Sequence, residues 1–87
     1  MKQFYVALET KSQAFLLERR MEIAGVTSEM SFLPRDIMND LCNMGLKIQP
    51  CHMDEAMEVL RMCGLPGFKV YEEQIFPNHS EYRELER

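Results

Sequence analysis

An α+β sandwich, with four strands and two helices in the order βαββαβ, is the fold class this sequence predicts, and three observations predict it. Apolar and polar residues alternate with period two in four separate stretches, as half-buried strands require. Two further stretches carry apolar residues at helical spacing, and each ends at a glycine, Gly25 or Gly64. The chain has 87 residues, 46% hydrophobic and 28% charged, close to globular averages and enough for one modest core.

The first alternation spans residues 2–8, with Phe4, Val6 and Leu8 on one side and Gln3, Tyr5 and Ala7 on the other. Thr10-Lys11-Ser12-Gln13 is a capping box, its hydroxyl placed to accept an amide hydrogen while the glutamine reaches back. A helix over residues 11–24 follows, with Ala14, Leu17, Met21 and Ala24 on its apolar stripe. Residues 27–33 alternate again through Met30 and Phe32, until Pro34, which cannot donate to a ladder. Residues 43–48 form a third strand, with Met44, Leu46 and Ile48 facing inward. A second helix carries Met53, Ala56, Met57, Leu60 and Cys63 on one stripe, with Asp54 and Glu55 at its positive end. Residues 67–71 supply a fourth strand. Two βαβ crossovers with both helices on one face of a four-stranded antiparallel sheet make the ferredoxin-like arrangement.

This domain is expected to occupy residues 1–72, with 73–87 as a C-terminal tail that forms a short helix. Tyr82 and Leu85 of that helix need a surface, either the open sheet face or a second subunit. Tyr5, Ala7, Leu33, Gly45, Lys47, Lys69 and Tyr71 fall on the face without helices. Such a face is either solvated and covered by the tail, or a surface for a homodimer or another partner.

A net charge of −4 and a pI near 5.1 argue against a nucleic-acid surface, which needs clustered cations to replace phosphate counterions. No apolar run approaches the roughly 20 residues that span a bilayer, and no signal-peptide pattern opens the chain, so a cytoplasmic protein is expected. Three cysteines without framework spacing fit free thiols in a reducing compartment. Cys42, Cys51, His52 and Cys63 lack the spacing that presets zinc ligands, and no glycine-rich phosphate loop occurs, so neither a metal nor another cofactor is expected. Cys63 lies on an apolar stripe and reads as a small hydrophobe. Cys51 precedes a helix whose dipole favours thiolate. Cys42 ends the loop opened by Pro34 and Arg35, where a guanidinium has the same effect.

Ala14, Glu18, Met21 and Gly25, then Pro34-Arg35-Asp36-Ile37, Cys42 and Leu46-Lys47-Ile48, resemble the pattern of a family of small bacterial selenium/sulfur carrier-like proteins. The likeness covers residues 4–70, with Asn43 standing where the family has glycine. The resemblance implies that Cys42 takes up a sulfane sulfur or selenium as a persulfide and that Arg35 stabilises the anion. Donor and acceptor proteins would be its partners, and a carrier or binding protein is implied rather than an enzyme with turnover. The other function class compatible with the sequence is a non-enzymatic assembly module working through the open sheet face.

Overall fold

The computed structural model describes residues 1–37 and 43–85. Its elements are β1 (Lys2–Ala7), α1 (Lys11–Ile23), β2 (Glu29–Phe32), β3 (Met44–Ile48), α2 (Met53–Cys63), β4 (Lys69–Ile75) and β5 (Ser80–Leu85). Short 3-10 turns at Arg35–Ile37 and Pro50–His52 precede β3 and α2. The five strands form one sheet in the order β2-β3-β1-β4-β5, every neighbouring pair antiparallel.

Local chemistry sets the helix ends. The Thr10 hydroxyl accepts from the Gln13 amide at 3.2 Å, and the Gln13 side chain accepts from the Glu9 amide at 3.1 Å, one residue before the cap. At the other end Gly25 takes φ +78, which lets the Val26 amide reach back to the Met21 carbonyl at 2.8 Å. A side chain there would pay a Cβ penalty, so glycine closes α1.

Both helices lie on one face of the sheet. Val6, Leu46, Ile48 and Val70 from the strands and Leu8, just past β1, meet Ala14, Leu17 and Met21 of α1 and Ala56 and Leu60 of α2 in a single buried cluster. Register makes this face continuous, because Val6 stands opposite Leu46 on one side and Val70 on the other. Each large aliphatic side chain buried here contributes about 1.5–3 kcal/mol. Ala24, expected on the α1 stripe, falls past the last turn and is exposed.

The C-terminal segment differs from the expectation in two ways. The sheet has five strands rather than four, and residues 80–85 are the strand β5 rather than a short helix. Tyr82 and Leu85, three apart, share a face only on a helix; on a strand they point to opposite sides. Tyr82 accordingly joins the cluster on the helix-free face, and Leu85 packs against the helix-covered core. The two side chains, one on either face of the sheet, are each partly buried on the strand. Beneath it β4 runs on to Ile75, four residues beyond the expected end of the fourth strand and through the expected boundary at residue 72. The Phe76 amide donates to the His79 carbonyl at 2.9 Å, and the two rings stack at 4.7 Å, closing the hairpin around Pro77 and Asn78.

Candidate functional site

The connection from β2 to β3 borders the face of the sheet that carries no α-helix. After β2, Leu33 turns its side chain into that face and its amide donates to the Asn43 carbonyl at 2.7 Å. Pro34 accepts from the Ile37 amide at 3.0 Å, which winds Arg35–Ile37 into its turn. Ile37 is buried with Tyr5, Ala7 and Leu33, so the turn is anchored by an apolar side chain while Arg35 and Asp36 stay exposed. Gly45 of β3 passes so close to the Val6 carbonyl and to Leu33 that a Cβ there would collide with both.

Of the residues singled out from sequence, Arg35 is exposed on this anchored turn, and Cys42 lies outside the described residues. Cys51 is exposed in the turn before α2, with His52 next to it. Cys63 is half-buried and lines a shallow groove of about 230 Å³ with Arg20, Ile23, Ala24, Val59 and Met62. Among the described residues no three His, Cys, Asp or Glu side chains come together as a metal site would need. Among the same residues no helix is long and apolar enough to cross a membrane.

The helix-free face is more closed than alternation alone suggests. Tyr5 and Ala7 are buried there with Leu33 and Ile37, and Tyr71 and Tyr82 pack against them. At one end of this cluster sits a carboxylate, Glu73, only 6% exposed. Strand register brings it beside Gln3 of β1 and Tyr82 of β5. Gln3 Nε2 donates to one carboxylate oxygen and the Tyr82 hydroxyl to the other, the latter at 2.9 Å; Tyr5 and Ser80 add further hydrogen bonds. Burial by itself pushes the Glu73 carboxyl up, but these hydrogen bonds outweigh it and hold the group below the usual glutamate range. The same proximity acts in reverse on the phenols. Burial, together with the Glu73 charge and hydrogen bond, pushes Tyr5 and Tyr82 up to about 12. Asp36 also contributes at Tyr82, which puts the β2–β3 turn within electrostatic reach of this cluster.

Glu73, Gln3, Ser80 and Tyr82 were not singled out as a group by the sequence. One signal could have found them. Continuing the period of two from Lys69 and Tyr71 places Glu73 on the face that Gln3 and Tyr5 share across β1.

The fold and site define a small α+β domain with an anchored, arginine-bearing turn beside a tyrosine–carboxylate cluster. The chain matches no family model, no curated protein and no solved structure.

Proposed function

We propose that the chain is a ferredoxin-like sulfur or selenium carrier whose working end is the β2–β3 connection. The fold part of this reading is supported by β2-β3-β1-β4, the antiparallel order of a ferredoxin-like sheet, to which β5 is an addition. The functional part is supported by one observation above the rest: both flanks of the segment that carries Cys42 are fixed, by the Leu33–Asn43 hydrogen bond and by buried Ile37, and the flank presents an exposed guanidinium. A guanidinium that reaches the Cys42 thiol would favour its thiolate form.

In the reaction so assigned, the Cys42 thiolate attacks the outer sulfur of a donor persulfide, R–S–SH. The new bond is Cys42 Sγ to that sulfur, the donor S–S bond breaks, and the donor leaves as R–S⁻. No net oxidation occurs, and the proton stays on the transferred sulfur until its own ionisation. A selenium donor obeys the same balance. Arg35 serves here as a positioning and charge-stabilising residue. The competing assembly reading loses force because Tyr5 is 5% exposed and its neighbours pack over one another, which leaves little apolar area on that face for a partner.

Intact-mass analysis after incubation with a polysulfide donor tests the assignment. The chain should gain sulfur, Cys42→Ser should abolish the gain, and Arg35→Ala should slow alkylation of Cys42 near neutral pH without changing that of Cys63. Sulfur uptake that survives Cys42→Ser but is lost in Cys51→Ser moves the carrier role to the thiol before α2. No uptake at any cysteine removes the role altogether.

A further inference from the structure

We infer that the outer edge of β5 pairs with β5 of a second copy of this chain in an antiparallel register centred on Tyr82. Among the described residues β5 has a neighbour on one side only, β4. Its six residues, Ser80–Leu85, contain no proline and no lysine, two of the devices that blunt a sheet edge, and the charges they do carry, on Glu81, Arg83 and Glu84, are of both signs.

Two hydrogen bonds fix which backbone groups of β5 point outward. The Phe76 amide donates to the His79 carbonyl, so that pair is of the hydrogen-bonded kind. The Ile75 amide donates to the Met1 carbonyl, away from β5, so the Ile75–Ser80 pair is not. Antiparallel ladders alternate between the two kinds. Glu81, Arg83 and Leu85 therefore bond inward to β4, while the amides and carbonyls of Ser80, Tyr82 and Glu84 face out.

A twofold axis that continues the sheet must pass through a residue position, because opposed residues share a face. Centring on Glu81 sets two carboxylates opposite one another, and centring on Arg83 sets two guanidinium groups opposite one another. Centring on Tyr82 instead places Glu81 opposite the partner's Arg83, and Arg83 opposite the partner's Glu81. It also pairs the outward groups of Ser80 with those of the partner's Glu84, and Tyr82 with the partner's Tyr82. Within their own chain Glu81 meets the His79 ring at 3.2 Å and Arg83 meets Glu72 at 3.4 Å, yet both side chains stay largely exposed, at 67% and 71%, and can be reached across the edge. The occupant of this edge is thus a second copy, chosen by the strand's own charge order, and the two β2 edges are left outermost.

Sedimentation velocity of the full chain at low ionic strength tests this. The wild-type chain should dimerise in a concentration-dependent way. Glu81→Arg and Arg83→Glu should each weaken dimerisation about tenfold or more, since each turns two attractive cross-strand pairs into repulsive ones. An equimolar mixture of the two variants restores opposite charges at both positions and should sediment as a heterodimer, a recovery that misfolding cannot produce. Glu84→Pro removes an outward amide and leaves the β4 ladder intact, so it should give a folded monomer by circular dichroism. A wild-type chain monomeric at high concentration, a mixture that fails to pair, or a folded Glu84→Pro dimer would each overturn the inference.

Discussion

The sheet's two faces bury their side chains by different chemistry. On the helix side, Leu8, Leu17, Met21, Leu46, Ile48 and Leu60 are fully enclosed and carry no polar atom beyond the backbone and the Met21 sulfur. On the other side, no α-helix is present among the described residues, and Tyr5, Tyr82 and Gln3 close over Glu73 through hydrogen bonds. The aliphatic face gains from area and tolerates no gap; the tyrosine face gains from pairing and tolerates no missing partner. A small domain can therefore protect a second sheet face with one extra strand and a buried carboxylate, where helices are not available.

The contrast can be broken from either side. The largest effect should come from Leu60→Ala in α2, which leaves a cavity under both helices and should cost about 2–5 kcal/mol in urea denaturation. Glu73→Ala should come next, at about 1–3 kcal/mol, because it strands the Tyr5 and Tyr82 hydroxyls and the Gln3 amide. Glu73→Gln keeps an acceptor and should cost less. A Glu73→Ala loss as large as that of Leu60→Ala would mean that the two faces are not energetically distinct.

Titration sharpens the same comparison. Glu73 is held below its ordinary range in the folded chain, so the unfolded chain binds its proton first as pH falls. Its stabilisation is present above the ordinary glutamate value and is lost as pH drops through the lowered folded value. Tyr5 and Tyr82, raised to about 12, behave in the opposite sense: their contribution is intact below the ordinary tyrosine value near 10 and disappears as pH rises towards 12. Stability profiles of Glu73→Gln should be flatter than those of the wild-type chain at both limbs, whereas those of Leu60→Ala should be displaced without change of shape. Lys2→Ala should have the smallest effect. Its ammonium is half exposed and 3.7 Å from Glu72, so removal should cost under about 1 kcal/mol and salt should erase the difference.

The helix-covered face was legible in the sequence because apolar periodicity records it directly: Val6, Leu17, Leu46, Leu60 and Val70 all fall where alternation or helical spacing puts them. Tyr5, Ala7, Leu33 and Tyr71 were assigned to the other face by the same rule. That rule lost β4 after Tyr71, since Glu72-Glu73-Gln74 shows no apolar alternation. A strand buried by hydrogen bonds keeps its period in geometry but not in hydropathy. The error in β5 has a related origin, for Tyr82 and Leu85 satisfy helical spacing and strand pairing alike, and only the presence of an unpaired β4 edge decides between them. Of the candidate site, Pro34 marked the end of β2 and the start of the connection, the turn at Arg35–Ile37 was read only as loop, and Cys42 lies outside the described residues.

The tyrosine cluster also has an optical consequence. The chain contains three tyrosines and no tryptophan, so its near-ultraviolet emission is dominated by phenol rings. Two of the three, Tyr5 and Tyr82, hydrogen-bond a carboxylate, and an excited phenol next to such an acceptor loses its energy by passing its proton across rather than by emitting light. Tyr71 is then the principal emitter of the folded chain. Unfolding should separate the other two rings from Glu73 and relieve this quenching, so that the denatured chain is expected to be brighter than the native one and the fluorescence of an unlabelled sample to read out one carboxylate.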